Sequence, residues 1–423
     1  MQLTDVTAEN VIAFIHQRPK FQRTKRLDAI KQVLTWLDHP EQQVKTIHLT
    51  GTNGKGSTAF YLNSLLQQAG QKTGLFISPF VEVFNERIQV NSQNISDQDL
   101  ADLVNQINQT IRQQGANPEN FLTEFEYLVV IGFLYFAHEK VAYAIIEAGI
   151  GARHDKTNVI TPVVSLLTSV GMDHQELIGP TLADIAFEKA GVIKPHVPVI
   201  VGDVVLEVRK IMQNVANELQ APISWFGQDF VISSQNQQFQ YQNSQRQFTF
   251  ALRPQVEQID VALAVTAFLT IFPDFSTKAI EQAINQTQII GRYQVLQRAP
   301  LVIADGAHNF QAMQNFTNYL AQQQTNIGKI YYLVAMMKDK DLARVLELLP
   351  ATTTTLTTIA YPRAAKLADF KAELATAYHY EADYRQAFQK ISQQVTKNDI
   401  IAVTGSFYFV SEFLQFYQKG EQS

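Results

Sequence analysis

Residues 44–70 read VKTIHLTGTNGKGSTAFYLNSLLQQAG, and this stretch decides the fold. Val44 to Leu49 has the apolar content of a short buried strand, and Ser57 to Gln68 continues as a helix that ends at Gly70. A Gly-rich loop, Gly51 to Gly56, joins the two. A strand, a Gly-rich loop and a helix in this order begin a nucleotide-binding α/β unit.

The loop lies within the motif TGTNGKGST (Thr50 to Thr58) and has residues suited to phosphate. Glycines let backbone N–H groups approach an anion, and the N-terminus of the next helix favours negative charge. Lys55 can reach the β- and γ-phosphates, and the Ser57 hydroxyl can bind Mg²⁺. The spacing is not that of a strict Walker A motif, because Gly56 stands between Lys55 and Ser57. The other residues of the motif that we expect to contact a nucleotide are Thr52, Asn53, Gly54, Gly56 and Thr58.

Further strands alternate with helices along the chain, which indicates a mainly parallel sheet covered on both faces. The predicted strands are Ala142–Ile146, Val163–Thr168, Val197–Val201, Leu301–Ala304, Ile330–Ala335, Thr355–Ala360 and Ile400–Thr404. Aromatic and polar residues alternate between Phe230 and Leu252, a pattern typical of an antiparallel hairpin. We therefore predict an α/β protein. Residues 1–295 would form a P-loop NTPase-like sheet domain with a hairpin region, and residues 296–423 a smaller Rossmann-like α/β domain.

The composition excludes several classes of function. A net charge of −5 and 34 Lys and Arg in 423 residues leave no basic excess for general nucleic-acid binding. Without cysteine, disulfides, thiolate metal sites and Cys nucleophiles are impossible. The N-terminus lacks a secretory pattern, and the longest apolar run, Val129 to Ala137, is shorter than the roughly 18 residues that span a membrane. We expect a cytoplasmic monomer that binds small molecules, with neither a nucleic-acid nor a membrane partner.

Two polar residues follow predicted strands of the first domain. Glu147 ends one strand, and His174 lies just beyond another. The carboxyl ends of parallel strands meet at one sheet edge, where ligands bind, so both residues could join Ser57 there. A carboxylate, a hydroxyl and an imidazole suit Mg²⁺ with waters and phosphates. Taken alone, Glu147 could equally be an ordinary loop carboxylate, and His174 a helix cap.

Lys189 lies one turn after Ile185 in IAFEKAGVIKP, on the apolar side of a predicted helix. A partly buried lysine has a depressed pKa and can be a nucleophile, a base or a modification site. The pattern alone favours a simpler arrangement, in which Lys189 extends outward or pairs with Glu188 or Asp184.

The second domain has its own candidates at a strand end. Asp305 and His308 lie in IADGAHNF, where a strand gives way to a helix, and Ser406 occupies a similar turn in VTGSFYFV. Arg292 lies at the junction of the domains and is expected to face the cleft between them, where ligands often bind. Asp305 as a helix cap and Ser406 as a turn residue are common alternatives.

The motifs together resemble the folylpolyglutamate synthase and dihydrofolate synthase family of the Mur ligase superfamily. They span nearly the whole chain in the family's order: TGTNGKGST, SPF with NERI (Ser78 to Ile88), FEYL (Phe125 to Leu128), IIEAGIGARHDKTNVI (Ile145 to Ile160), SVGMDHQELIGPTLADIAFEKAGVIKP (Ser169 to Pro195), GRYQ (Gly291 to Gln294), DGAHN (Asp305 to Asn309), MKDKD (Met337 to Asp341) and TGSFYFV (Thr404 to Val410).

The resemblance implies a reaction in which ATP phosphorylates a pterin carboxylate and L-glutamate attacks the acyl phosphate. The implied activity is a folylpolyglutamate synthase that adds L-glutamate to the γ-carboxylate of a reduced folate. Dihydrofolate synthase, acting on dihydropteroate, is the nearest alternative, and a bifunctional enzyme would do both. A Mur-like ligase for another amino acid and a non-catalytic ATP-binding paralogue are further alternatives.

The same resemblance implies roles for individual residues. Ser57, Ser78, Glu147 and His174 match the metal region, which would hold two Mg²⁺ ions. Lys55 would neutralise phosphate charge, and Lys189 matches a carbamylated lysine. Arg292 and Asp305 match nucleotide contacts, whereas His308 and Ser406 match positions on the glutamate side.

Some residues depart from the family's pattern. Val261 replaces an asparagine that is expected to contact adenine, within a segment that is often His-Gln-x-x-Asn-Ala. This change predicts weaker ATP binding and poorer base selectivity. The other departures are Phe80, Ala152, His154, Lys156 and Phe310.

Overall fold

The computed structural model describes residues 6–20, 27–80, 83–173, 175–235, 238–251, 255–287, 289–323 and 328–421. The chain forms two compact units, the first from most residues up to Thr287 and the second from residue 289 onward. No helix within the described residues combines the length and the apolar character that crossing a bilayer requires.

The first unit contains eleven α-helices and eleven strands within its described residues. Its helices are α1 Val11–His16, α2 Asp28–Trp36, α3 Lys55–Gln68, α4 Asp97–Gln113, α5 Pro118–Phe121, α6 Glu124–His138, α7 Gln175–Ile178, α8 Leu182–Lys189, α9 Leu206–Glu218, α10 Gln255–Ile271 and α11 Thr277–Gln286. Its strands are β1 Lys45–Thr50, β2 Thr73–Phe76, β3 Ile88–Val90, β4 Gln93–Asn94, β5 Tyr143–Glu147, β6 Val164–Leu167, β7 Val199–Val201, β8 Ile223–Trp225, β9 Phe230–Gln235, β10 Gln238–Asn243 and β11 Gln247–Ala251.

Eight of these strands form one sheet in the order β4-β3-β2-β5-β1-β6-β7-β8. Strands β2 to β8 of this order run parallel, whereas β3 and β4 add an antiparallel edge. Every residue of β5 and β6 is buried, as expected for strands covered on both faces. In this register Leu49 lies opposite Glu147, so the end of β5 lies next to the end of β1.

The remaining three strands form the separate antiparallel sheet β11-β10-β9. Phe239 and Tyr241 on β10 face Phe250 and Phe248 on β11, and all four side chains are buried. The alternation of aromatic and polar residues therefore arises because only one face of this sheet is covered. The predicted hairpin region is present, although Leu252, its last predicted residue, lies outside the described residues.

The second unit is a six-stranded sheet in the order β12-β13-β17-β14-β15-β16, in which only β12 is antiparallel. Its strands are β12 Gln294–Arg298, β13 Leu301–Asp305, β14 Ile330–Val334, β15 Thr354–Thr358, β16 His379–Asp383 and β17 Ile400–Thr404. Its helices are α12 Phe310–Gln323, α13 Leu342–Leu346, α14 Ala372–Ala377, α15 Tyr384–Gln394 and α16 Phe407–Glu421. Apolar clusters cover this sheet on both faces. The predicted fold class, a mainly parallel sheet domain with a hairpin region and a second α/β domain, is confirmed.

Candidate active site

The phosphate loop, residues 51–56, connects β1 to the first turn of α3. Gly54 precedes α3 with a φ of 85°, a left-handed conformation that favours glycine. The start of the loop is fixed by the end of β6. The Thr168 hydroxyl donates to the Asn53 carbonyl at 2.5 Å, and Ser169 Oγ both accepts from Asn53 N and donates to Asn53 O at 3.0 Å. The loop is therefore built into the sheet edge.

Lys55 lies within this loop and points back across it. Its Nζ donates to the Gly51 carbonyl at 3.0 Å and lies 3.8 Å from Oε1 of Glu147. Both side chains are largely withdrawn from solvent, with exposed fractions of 15% and 5%. Lys55, which follows β1, and Glu147, which ends the neighbouring strand β5, therefore lie close together. The Lys55 ammonium group supplies a positive charge beside the phosphate loop.

Glu147 also connects the loop to Ser78. Oε2 of Glu147 accepts from the Ser78 backbone N–H at 3.2 Å, and the Ser78 hydroxyl accepts from Nη1 of Arg87 at 3.3 Å. Gly56 faces the same carboxylate, because a Cβ added to it would lie 3.9 Å from Oε2 of Glu147. Ser57 lies in the same first turn of α3 and is buried. His174 lies outside the described residues.

Lys189 is the last residue of α8 and is 4% exposed, so it does not extend to solvent. Burial, and after it the positive charge of Lys55, lower the pKa of its amine to about 7. The carboxylates of Asp173, Asp155 and Glu188 oppose this shift. At neutral pH a large share of this buried amine is therefore uncharged.

The family resemblance implies a Mg²⁺ site, and the residues beside the phosphate loop are suitable ligands for this ion. Among the described residues no group of three or more His, Asp and Glu side chains could hold a metal ion. Mg²⁺ is usually held by one or two protein carboxylates together with waters and substrate phosphates, not by a complete protein cage. The buried Glu147 carboxylate and the buried Ser57 hydroxyl are donors of this kind, next to the phosphate loop.

The chain after Glu147 is held by Asp155. Its buried carboxylate accepts from Ile150 N at 3.0 Å and from Thr157 N at 2.9 Å. Burial raises the pKa of Asp155, and these hydrogen bonds oppose the shift. Next to it, the His154 ring lies 2.8 Å from Oε2 of Glu188, which connects this segment to α8 and to Lys189.

In the second unit, Asp305 ends β13 and is buried. It accepts from Tyr293 N at 3.0 Å and from Ala307 N at 2.8 Å, and burial raises its pKa against the charge of Arg292. The guanidinium of Arg292 stacks on the Phe407 ring at 4.2 Å. Asn309, not Asp305, caps α12, because its Oδ1 accepts from Ala312 N at 2.9 Å.

His308 and Ser406 lie close to the same strand ends. Nδ1 of His308 lies 3.0 Å from the Gly306 carbonyl. The Ser406 hydroxyl donates to the Ala335 carbonyl at 3.0 Å and accepts from Phe409 N at 3.2 Å. Ser406 therefore caps α16 and connects β14 to β17.

Val261, which stands where the family's asparagine is expected to contact adenine, is completely buried in α10. The predicted loss of that contact stays a prediction. The sequence did not single out four residues that shape the site. Arg87 donates a hydrogen bond to the Ser78 hydroxyl, and Thr168 and Ser169 donate to the Asn53 carbonyl of the phosphate loop. Asp260 packs against Gly54. Arg87, Thr168 and Ser169 lie inside or next to motifs of the chain, which was the available signal. For Asp260 the sequence offered no signal, except that this residue directly precedes Val261.

Comparison with known proteins places this arrangement in a class. The Mur ligase middle domain matches residues 49–270, and the Mur ligase glutamate ligase domain matches residues 291–407. These two matches cover the phosphate loop with its sheet and most of the second unit. The fold is that of a Mur ligase.

Full-length relatives narrow the class. The chain is 30% identical to the dihydrofolate synthase/folylpolyglutamate synthase of Bacillus subtilis (strain 168), over 95% of this chain and 96% of that one. It is 32% identical to the folylpolyglutamate synthase of Lacticaseibacillus casei, over 96% and 97%. The chain belongs to the folylpolyglutamate synthase and dihydrofolate synthase family of Mur ligases, which confirms the resemblance seen in the motifs.

Solved structures agree with this assignment. The apo form of L. casei FPGS superimposes with a TM-score of 0.85 at 29% identity, covering 97% of this chain and 100% of that one. An FPGS-AMPPCP complex gives a TM-score of 0.84 at 28% identity, again covering 97% and 100%. The similarity therefore extends to a protein that has been captured with an ATP analogue.

Proposed function

We propose that this protein is an ATP-dependent ligase that adds L-glutamate to the γ-carboxylate of a reduced folate, as a folylpolyglutamate synthase does. The observation that carries the proposal is the pair of Lys55 and Glu147, 3.8 Å apart at the phosphate loop. Family membership over almost the whole chain supports it.

The proposed reaction has two steps. A carboxylate oxygen of the folate attacks the γ-phosphorus of ATP, the bond to the ADP oxygen breaks, and an acyl phosphate forms. The amine nitrogen of L-glutamate then attacks the acyl carbon and gives up a proton, and the C–O bond to phosphate breaks. The products are an amide, ADP and phosphate. Such phosphoryl transfers depend on positioning and charge neutralisation more than on covalent participation by the protein.

The residues of the first unit are suited both to positioning the phosphates and to neutralising their charge. Backbone N–H groups of the phosphate loop and the N-terminus of α3 would hold the phosphates, with contacts from Thr52, Asn53, Gly54, Gly56, Ser57 and Thr58. Lys55 would turn from the Gly51 carbonyl to the phosphates and offset their charge. Ser57, Ser78, Glu147 and His174 would hold two Mg²⁺ ions, which neutralise phosphate charge when bound.

Lys189 is proposed to carry a carbamate. Carbamylation needs an uncharged amine, which adds to CO₂ with loss of one proton, and a pKa of about 7 makes that amine available. The modification would replace a buried cation next to Lys55 with an anion, so it would remove an unfavourable pair of like charges.

The second unit is proposed to contribute Arg292 and Asp305 to the nucleotide, and His308 and Ser406 to the glutamate side. Arg292 is held by stacking on Phe407, and Asp305 is fixed by two backbone N–H groups. Ser406 would act by fixing the chain, because its hydroxyl is already bonded to the Ala335 carbonyl.

Dihydrofolate synthase activity is the second candidate, because a relative of nearly full length carries both names. A product assay decides between them. Purified protein is supplied with ATP, Mg²⁺ and L-glutamate, together with dihydropteroate in one series and tetrahydrofolate or its one-carbon forms in the other. Conjugated product from tetrahydrofolate alone supports the proposal, whereas product from dihydropteroate alone replaces it with the alternative. Product from both series indicates a bifunctional enzyme.

Lys55→Ala serves as the catalytic control for this assay, since its fold should survive. ADP release that needs neither pterin nor glutamate would contradict a ligase. We further propose that the protein works as a cytoplasmic monomer without nucleic-acid or membrane partners, which the charge balance and the absence of cysteine support.

A further inference from the structure

We propose that Asp260 is a positioning residue that holds the end of the phosphate loop in the shape that receives phosphate. The inference rests on the proposed use of this loop for ATP. Asp260 lies on α10, far from the loop in sequence, and none of the roles assigned above includes it.

The two ends of the loop are held by different elements. Its first residues are tied to β6: Thr52 N donates to the Ser169 carbonyl at 2.9 Å, and Asn53 is bonded to Thr168 and Ser169. A Cβ on Gly51 would lie 1.9 Å from the Thr168 hydroxyl, so the chain passes directly over that side chain. These contacts end at Asn53, two residues before α3 begins at Lys55.

At Gly54 the neighbour changes to α10. A Cβ on Gly54 would lie 2.2 Å from Oδ1, 3.1 Å from Cγ and 3.3 Å from Oδ2 of Asp260, and these are its three nearest atoms. The Asp260 carboxylate thus packs against Gly54, with Oδ1 nearest. Gly54 is also the residue with a φ of 85° that turns the chain into α3. Asp260 therefore restricts a glycine whose conformational freedom would let the loop change shape.

The charge of Asp260 argues against direct binding of nucleotide. A carboxylate would repel phosphates, and this one is only 5% exposed. Helix α3 begins directly after Gly54, and the partial positive charge of its N-terminus favours a negative group nearby. The carboxylate can therefore lie beside an anion-binding loop, because it packs against the loop and is almost completely buried. Its contribution is the fixed position of Gly54.

A loop that is already ordered loses less entropy when ATP binds. Fixing one backbone residue costs about 1–2 kcal/mol, which corresponds to roughly 5- to 30-fold in affinity. Asp260→Ala should therefore weaken ADP and ATP binding about 10-fold. Asp260→Asn keeps the shape of the side chain without its charge, so it should bind within about threefold of wild type or more tightly.

The chain offers a matched control one turn earlier on the same helix. Glu257 is also buried, and its Oε2 accepts from the Tyr61 hydroxyl at 2.7 Å, in the middle of α3. Glu257→Gln changes a buried carboxylate whose hydrogen bond joins the same two helices at the middle of α3. It should leave the nucleotide Kd unchanged, whatever it does to thermal stability.

The experiment measures Kd for ADP and ATP with Mg²⁺ by calorimetry, and KM and kcat in the ligase assay, for wild type and the three variants. We expect Asp260→Ala to have a higher Kd and KM than wild type, whereas Asp260→Asn should have values close to those of wild type. The kcat at saturating ATP should be nearly unchanged in both variants. If Asp260→Ala does not fold, Asp260→Ser replaces it, since it also leaves a gap over Gly54.

Two results would overturn the inference while leaving the proposed function intact. One is an Asp260→Ala variant that binds nucleotide as tightly as wild type or more tightly, because the carboxylate then acts only by repulsion or not at all. The other is equal weakening in Asp260→Asn and Asp260→Ala. Wild-type protein that binds neither ADP nor ATP would overturn the proposed function itself, and this inference with it.

Discussion

At the residue scale, the chemistry of Lys189 depends on burial. Burial disfavours the charged form of its amine, and the positive charge of Lys55 adds to this effect, so Lys189 gives up its proton more easily than an exposed lysine. The sequence placed Lys189 on an apolar helix face but favoured an outward-pointing side chain. Burial by neighbouring elements decided the outcome, and that is a tertiary property.

The carbamate on Lys189 can be tested directly. In ¹³C-labelled bicarbonate at a pH above about 7, wild-type protein should show a carbamate carbon signal in ¹³C NMR, because the amine is then mostly uncharged. The signal should fade as the pH falls below that value. Lys189→Ala should lose the signal and the ligase activity, and short carboxylates should restore part of the activity. A signal unchanged in Lys189→Ala would belong to another amine and would refute the assignment.

Val261 is a residue at which burial and the predicted adenine contact oppose each other. An asparagine there would place an amide at a completely buried position of α10. Val261→Asn should lower the free energy of unfolding of the nucleotide-free protein by about 1–3 kcal/mol, the cost of an unsatisfied buried polar group. The KM for ATP should fall, because an asparagine amide can hydrogen-bond to adenine whereas valine cannot. Urea denaturation and ATP kinetics of the variant check both points, and an unchanged KM would remove the adenine role from this position.

At the element scale, the sequence predicted the strands that are continuous apolar runs, such as β1, β5 and β17. It did not predict β2, because Thr73–Phe76 is short and contains a glycine that makes room for Phe136. It also could not show that the Glu257 carboxylate is buried against the Tyr61 hydroxyl of α3, because no local pattern reveals such a contact.

Helix α6 allows a test of an element's end. Its first turn is a capping box in which the Thr123 hydroxyl accepts from Glu126 N at 3.3 Å and donates to Oε2 of Glu126 at 2.9 Å. Glu126 is fully buried and pairs with Lys156 at 2.9 Å. Thr123→Ala should cost about 1–2 kcal/mol of stability, near the upper range for caps, because it also leaves this carboxylate short of a donor.

The matched control for that prediction is Thr181→Ala. Thr181 and Asp184 form the same kind of capping box at the start of α8, but in an exposed position. Its loss should cost roughly 0.5–1 kcal/mol, since water can replace the lost bond. Equal losses in the two variants, measured by urea denaturation, would show that burial of Glu126 adds nothing to the cap.

At the scale of the whole molecule, the two units each place functional candidates at the carboxyl ends of parallel strands. In the first unit these are Lys55 and Glu147, and in the second Asp305 and Ser406. Topology made this much predictable, because parallel strands collect their ends at one edge. The fine contacts were not predictable. That Asn309 rather than Asp305 caps α12, and that Ser406 bonds to Ala335, depends on loop geometry that the strand pattern leaves open.

The proposal that both units contact the nucleotide makes a prediction about unfolding. A ligand that binds only the native state at 100 times its Kd stabilises that state by about 2.7 kcal/mol. If Arg292 and Asp305 contact ADP as Lys55 does, ADP with Mg²⁺ should raise the unfolding temperature of both units in scanning calorimetry. Arg292→Ala should weaken ADP binding and so reduce the shift, and Lys55→Ala should reduce it further. A shift confined to the first unit, unchanged by Arg292→Ala, would place the whole nucleotide site on the phosphate loop and remove Arg292 and Asp305 from it.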